Sequence, residues 1–273
     1  MITGCSSGFG KALAMKTLER GYRVAVCARK TEDVEDIVSS YPDRAVAVKL
    51  DVTHQQEIEN AVKTVTDKFG RIDILVNNAG IGYFGAIEES EDEEVRRMFE
   101  INFFGLANMT KAVLPIMRSQ KSGHIFNITS IGGLIGNAGV GFYNATKFAV
   151  DGLSEALSKE TKPLGIKVTI VAPSGFRTDW AGRSANNSSV IIDDYKTTAG
   201  VNKETIRNSS GNQPGDPVKA AEAIILAVES EHPPLRLLLG AAAFKNANIK
   251  LSDLKKDFDA WEAVSIGADS PKD

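Results

Sequence analysis

Tyr143 and Lys147 stand four residues apart in the stretch Tyr143-Asn144-Ala145-Thr146-Lys147. On a helix, that spacing puts a phenol and an ammonium on one face. Such a pair can do proton chemistry. A phenol with pKa near 10 is a poor base at neutral pH, but a neighbouring positive charge favours its phenolate. With five tyrosines in the chain, the pair draws its weight from its company. Ser130 lies upstream, after the apolar run 125–128. Asn102 follows a long helical stretch that comes after Asn77-Asn78-Ala79-Gly80.

A second constellation could hold phosphate. Thr3-Gly4-Cys5-Ser6-Ser7-Gly8-Phe9-Gly10 precedes a helical run over 11–20. Glycines permit close backbone approach, and a helix N-terminus offers free N–H groups and a positive dipole to a pyrophosphate. The candidate contacts are Gly4, Ser6, Ser7, Gly8, Phe9 and Gly10. The spacing is not Gly-x-Gly-x-x-Gly, since Leu13 fills the last position, and no Gly-Lys-Ser/Thr closes a P-loop. The next strand ends at Ala28-Arg29-Lys30, with no acid before Glu32. In a dinucleotide fold this is where the adenosine ribose is read: an acid accepts from a 2′-hydroxyl, an arginine accommodates a 2′-phosphate. Arg29 therefore favours NADP(H) over NAD(H), a solvated basic loop being the alternative.

These residues must be positioned by alternating elements. Short β-branched runs cover 22–27, 45–50, 72–76, 124–128, 166–171 and 235–239. Between them lie helical patterns, such as Ile58, Ala61, Val62, Val65 and Phe69 with Gly70 as a stop. The alternation predicts an α/β fold: a doubly wound, Rossmann-like parallel sheet with helices on both faces. A single domain over 1–273 is expected, with a variable substrate lid over 174–217 and a C-terminal helical tail over 241–265. In the tail, Leu251, Leu254, Phe258 and Trp261 form an apolar stripe. The acidic run 88–94 reads as a solvated helix start.

Composition excludes several classes. Hydrophobic residues make up 42% and charged residues 25% of 273, the balance of an ordinary globule rather than a disordered chain. A net charge of −3 provides no footprint for nucleic acid. No apolar run approaches the ~20 residues of a membrane span. Cys5 and Cys27 make no disulfide framework and fit a reducing compartment. With no signal-peptide pattern at the start, the expected location is cytoplasmic. His54, His124 and His232 lack metal-ligand spacing, so no metal site is expected.

The full set resembles the short-chain dehydrogenase/reductase family, in its single-domain oxidoreductase branch. The matching pieces are the turn from Thr3 to Gly10, Asp51-Val52, Asn77-Asn78-Ala79-Gly80, Asn102, Ser130, Tyr143 with Lys147, and the stretch from Pro173 to Thr178. The local wording around the turn and around Tyr143 is most similar to 17β-hydroxysteroid and retinol dehydrogenase-like members. The resemblance implies that Tyr143 is the acid/base at the substrate oxygen and that Ser130 hydrogen-bonds that oxygen. Lys147 would donate to the nicotinamide ribose, and Asn102 would hold a water linking Lys147 to solvent. Asp51 and Val52 would contact adenine, Asn78, Ala79 and Gly80 the adenosine side, and Thr178 the carboxamide, with Pro173 beside the cofactor. The implied substrate is a carbonyl compound or alcohol, mostly apolar. The implied assembly is a homodimer or homotetramer through the long helices around Asn102 and Tyr143. A non-enzymatic dinucleotide sensor is the alternative, though such proteins commonly lose the tyrosine or lysine. A two-lobed epimerase or dehydratase has a different glycine spacing.

Two departures stand out. Only Met1 and Ile2 precede the Thr-Gly pair, where the family carries several apolar residues. Either upstream residues are absent from this sequence or the central strand is short. In addition, Pro173-Ser174-Gly175 replaces the usual Pro-Gly, which weakens the expected contacts at Ser174 and Gly175.

Overall fold

The computed structural model describes residues 1–270. Its strands are β1 (Val24–Ala28), β2 (Ala45–Lys49), β3 (Ile74–Asn77), β4 (Gly82–Phe84), β5 (Gly123–Ile128), β6 (Ile166–Pro173), β7 (Ala185–Asn187) and β8 (Arg236–Leu239). β1 pairs with β2, and β3-β5-β6-β8 form a second run; every pairing is parallel. The two runs are joined by very little chain. Ile2 bridges Val26 on one side and Val76 on the other. Ile2 N–H donates to Ala25 O at 3.0 Å, Cys27 N–H to Ile2 O at 3.1 Å, and Thr3 N–H to Val76 O at 3.0 Å. The central position of the sheet, between β1 and β3, is thus filled by Met1 to Thr3, and β8 extends the far edge.

The helices are α1 (Gly8–Glu19), α2 (Glu35–Ser40), α3 (Gln55–Phe69), α4 (Asp92–Phe99), α5 (Leu106–Gln120), α6 (Gly141–Thr161), α7 (Val201–Asn208), α8 (Pro217–Glu229), α9 (Ala241–Ala260) and α10 (Glu262–Ile266). They cover both faces of the sheet. On one face Leu13, Ala14 and Leu18 of α1 meet Ala221, Ile224 and Ile225 of α8 over Val26 and Val76. On the other, Ile58, Ala61 and Val65 of α3 meet Met109, Val113 and Met117 of α5 over Leu75 and Ile125. Each large apolar side chain buried this way contributes on the order of 1.5–3 kcal/mol. Gly70 ends α3 at φ +76°, a left-handed conformation that only glycine adopts freely.

The polar segment over 174–217 has more order than its composition implies. It contains β7, α7 and short helical turns. β7 pairs with β4 in parallel. The acidic run is a helix start in its second half, where Asp92, Glu93 and Glu94 open α4, but not in its first. Glu89 is buried, and its carboxylate accepts from Ala86 N at 2.9 Å and from Ile192 N at 3.0 Å. Glu91 accepts from Ser189 N at 3.0 Å and from the Ser189 hydroxyl, and also from the Tyr83 hydroxyl. Those donors hold its carboxyl down to about 2. Two acids thus tie the polar segment to β4 and the turn that follows it.

Candidate active site

The carboxyl ends of β1, β3, β5 and β6 open on one cleft of about 1120 Å³. Pockets for small ligands run to roughly 300–1,000 Å³, so this one has room for a dinucleotide and a small second molecule. Gly4, Ser6, Ser7, Gly8 and Phe9 line one part of it, and Arg29, Asp51 and Val52 the next. Asn78, Ala79, Gly80, Ser130, Tyr143, Lys147, Pro173 and Thr178 line the remainder.

The glycine turn is built around Thr3, whose hydroxyl accepts from Asn78 N and Ala79 N, both at 3.0 Å. Gly4 has φ +70°, and a Cβ there would stand 3.0 Å from Ala79 Cα. Gly8 has φ +57°. No side chain caps α1 at Ser7, so its first N–H groups stay open to the cleft. Gly10 is placed differently from the sequence expectation. It does not line the cleft; a Cβ there would collide with Gly4 O and Asn78 Nδ2. Its glycine lets α1 pack against the turn.

Tyr143 and Lys147 lie on consecutive turns of α6, and both are buried. Lys147 Nζ donates to Ile128 O at 3.0 Å and stands 5.7 Å from the Tyr143 ring centroid. Burial pushes the phenol up to about 12, against a lowering contribution from the Ser130 hydroxyl beside it. Burial lowers the Lys147 ammonium to about 8. Ser130 itself is fixed by accepting from Gly132 N at 3.0 Å. The Tyr143 ring packs on Trp180, centroids 4.8 Å apart, and Trp180 packs on Phe84 at 5.4 Å.

Asn102 lies behind this group rather than in the cleft. A π-helical segment, Glu100–Gly105, interrupts the run from α4 into α5, a distortion frequent at functional sites. It turns the Asn102 side chain inward. There Oδ1 accepts from Ile81 N at 2.8 Å, while Nδ2 donates to Ile81 O at 2.9 Å and Thr146 Oγ1 at 3.2 Å. The side-chain amide thereby ties the β3 exit to α6.

Asp33, Gln213 and Arg207 carry no mark in the sequence, whereas Phe176 reads there equally as a pocket wall or a core residue. Asp33 lines the cleft beside Arg29. Phe176 packs edge-on against Phe9 at 5.0 Å, so it walls the cleft as well as the core. Gln213 is buried and lines the cleft, and its Oε1 has no hydrogen-bond partner among the described residues. Arg207 gathers the polar segment. It donates to Ala181 O at 2.9 Å, Gly182 O at 2.5 Å, Ala185 O and Asn187 Oδ1 at 3.1 Å, with its guanidinium 4.8 Å from the Phe84 ring centroid. No pattern in the sequence marks a residue whose partners are backbone carbonyls. Arg207→Ala leaves those carbonyls without their charged donor, each such bond being worth about 1.5–3 kcal/mol. The expected result is a rise of about tenfold in KM for the second substrate, nucleotide KM being nearly unchanged. Steady-state kinetics with each substrate varied in turn checks this; equal rises in both would refute it.

No cluster of three or more metal-ligating side chains occurs among the described residues. No helix among them is long and apolar enough to cross a membrane.

Comparison with known proteins follows the same lines. Oxidoreductase BOA17 of Botryotinia fuckeliana is 39% identical over 268 residues, covering 98% of this chain and 97% of that one. A 3-ketodihydrosphingosine reductase of Bacteroides thetaiotaomicron is 40% identical over 241 residues, 88% and 87% of the two chains. The narrower likeness to hydroxysteroid enzymes has a counterpart in rat 17-beta-hydroxysteroid dehydrogenase type 6, 35% identical over 78% of this chain and 66% of that one. Among solved structures, a short-chain dehydrogenase from Streptomyces avermitilis superposes with TM-score 0.92 at 43% identity, over 98% of both chains. An alcohol dehydrogenase from Thermococcus sibiricus complexed with 5-hydroxy-NADP reaches 0.72 at 26% identity, over 87% and 94%. A Brucella melitensis 3-ketoacyl-(acyl-carrier-protein) reductase complexed with NADH reaches 0.73 at 29%, also over 87% and 94%. The short chain dehydrogenase profile itself matches residues 1–188. Sheet order, cleft and sequence relatives converge on one assignment: the chain belongs to the short-chain dehydrogenase/reductase family of oxidoreductases.

Proposed function

We propose that this oxidoreductase interconverts a ketone or aldehyde with the matching alcohol on a small, mostly apolar molecule, preferring NADP(H) to NAD(H). The observation that carries this reading is the convergence of Tyr143, Ser130 and Lys147 on the same cleft as the glycine turn. That cleft fits a dinucleotide. The positive-φ glycines Gly4 and Gly8 and the uncapped α1 N-terminus suit a pyrophosphate. Gly4, Ser6, Ser7, Gly8 and Phe9 would cradle it, with Asp51 and Val52 at the adenine and Asn78, Ala79 and Gly80 along the adenosine side. Thr178 would take the carboxamide, beside Pro173. Relatives that bind NADP and NADH support a nicotinamide cofactor, and Arg29 supports the phosphorylated one.

The nicotinamide supplies or accepts the hydride. The chain's own residues manage the proton. In reduction, the Tyr143 O–H gives its proton to the carbonyl oxygen, while Ser130 donates a hydrogen bond to the same oxygen as negative charge develops there. In oxidation the phenolate takes the proton back. Lys147, largely an ammonium at neutral pH, would hold the ribose hydroxyls of a bound cofactor and stabilise the phenolate through its charge. Asn102 positions both, because its amide ties the β3 exit to α6. Trp180, Phe176 and Ile206 give the substrate end apolar walls, and the unpartnered Gln213 Oε1 is placed to accept from a ligand N–H or O–H.

A panel of aldehydes, ketones and alcohols tests this, followed by reduced-nucleotide absorbance with both NADPH and NADH. Turnover of carbonyl compounds with NADPH, faster than with NADH, is the expected result. Saturable nucleotide binding without turnover across the panel would overturn it in favour of a dinucleotide sensor.

A further inference from the structure

We propose that α9 pairs antiparallel with α9 of a second copy of this chain. α9 leaves the body after its first two turns. Ala243 and Ala247 are buried, whereas almost every residue from Leu251 through α10 is exposed. A helix with no body to cover it should be polar all round. This one is not: Phe244, Leu251, Phe258 and Trp261 are each about two-thirds exposed, at 65%, 65%, 67% and 65%.

Their spacing is that of a helix-pairing seam. Phe244, Leu251 and Phe258 recur every seven residues, and so do Ala247, Leu254 and Trp261, three positions further on. These are the a and d positions of a heptad. The stripe complements itself when the second helix runs the other way. Setting Leu251 against the partner's Leu254 also sets Trp261 against the partner's Phe244, with Phe258 between them at the edge of the body that covers Ala247. Leucines then meet leucines, and aromatic rings meet offset. The exposed parts of these side chains come to roughly 500 Å² per chain, more than half of the ~800 Å² per partner of a specific interface. Flanking polar residues supply the rest.

Charge selects the direction. Within α9, Lys255 pairs with Asp259 and Lys256 with Asp253. Lys250 and Asp257 have no ion-pair partner among the described residues. In the antiparallel register they flank the seam and face each other across it, Lys250 against the partner's Asp257 and the reverse. In a parallel pair, Lys250 would meet the partner's Lys255, and Asp257 the partner's Glu262, which is repulsive at both places. Residues 241–266 carry four lysines and four acids, so nothing there draws the stripe to an anionic membrane. The seam is separate from the helices around Asn102 and Tyr143 that the family resemblance points to.

The test is the mass of the full-length protein by light scattering and sedimentation over a concentration series. Leu251→Asp combined with Phe258→Asp is expected to halve it, leaving turnover and far-UV circular dichroism unchanged, because α9 does not line the cleft. Lys250→Asp and Asp257→Lys are each expected to weaken association about tenfold, and together to restore it, since the pair is then re-formed with its signs exchanged. Failure of that rescue, or a mass that falls with Phe104→Asp on α5 but not with the α9 changes, would overturn the proposal. So would flotation of the wild type, but not of the Leu251→Asp/Phe258→Asp variant, with phosphatidylcholine/phosphatidylserine vesicles.

Discussion

Tyr143→Phe is expected to lower kcat for carbonyl reduction by about 10³-fold, with nucleotide affinity within a few-fold of wild type. The ring stays. Its packing on Trp180 at 4.8 Å depends on the phenyl face, so the wall of the cleft is kept and only the hydroxyl is lost. Proton transfer by a positioned group contributes typically ~10²–10⁴-fold, and that contribution goes with the hydroxyl. The two directions should also differ in pH dependence. The buried phenol titrates at about 12, so the acid form needed for reduction persists across the neutral range. The phenolate needed for oxidation is scarce at neutral pH. Alcohol oxidation is therefore expected to rise with pH over about 7–9, while carbonyl reduction stays flat or falls. Lys147 titrates at about 8; above that value it loses the charge that favours phenolate, which limits the rise. Steady-state rates in both directions, with nucleotide binding followed by fluorescence, check these points. Retained turnover in Tyr143→Phe would remove Tyr143 from its role.

How much of this could be read from the sequence depends on how local each cause is. The strand over 166–171 is visible because every residue of it but Lys167 is β-branched; in the structure β6 continues to Pro173, carrying the chain to the cleft. The stop at Gly70 is visible because a left-handed cap needs glycine. Tyr143 and Lys147 share a face because α6 is regular. What stayed hidden depends on long-range partners. Glu89 and Glu91 read as solvated acids because their donors, Ile192 and Ser189, lie far along the chain. Gly10 looked like a phosphate contact, but its lack of Cβ serves the approach of Asn78. The π-helical turn that aims Asn102 inward has no compositional signature, because it is a change of hydrogen-bond register rather than of residue type. Arg207 and Gln213 sit in a polar stretch without periodicity, where no pattern separates a buried side chain from a solvated one. The central place between β1 and β3 is legible only as a departure in length; that Ile2 and Thr3 bond to both neighbours depends on partners far along the chain.

Arg29→Asp is expected to change the ratio of kcat/KM for NADPH over NADH by about 10²-fold, in favour of NADH. Arg29 sits at the end of β1, exposed, on the wall of the cleft. Its charge already reaches Asp51: burial pushes that carboxyl up, but hydrogen bonds from Thr53 and the charges of His54 and Arg29 outweigh it and leave it lowered. A guanidinium in this place can take a 2′-phosphate through two parallel N–H bonds. Hydrogen bonds to charged groups are worth about 1.5–3 kcal/mol, and about 1.4 kcal/mol is tenfold, so losing the pair costs NADPH ten- to a hundredfold. The new carboxylate adds repulsion against the phosphate, and it can accept from the 2′-hydroxyl of NADH. Asp33 lines the same wall, where its carboxylate would oppose a bound phosphate. Asp33→Ser should therefore move the ratio the other way, by a smaller factor because Arg29 already neutralises part of its field. Salt separates charge from shape: the wild-type advantage of NADPH should shrink as ionic strength rises, and that of Arg29→Asp for NADH much less. Kinetics with both nucleotides at two salt concentrations measure all of this, and an unchanged ratio in Arg29→Asp would defeat the assignment of Arg29 to the ribose phosphate.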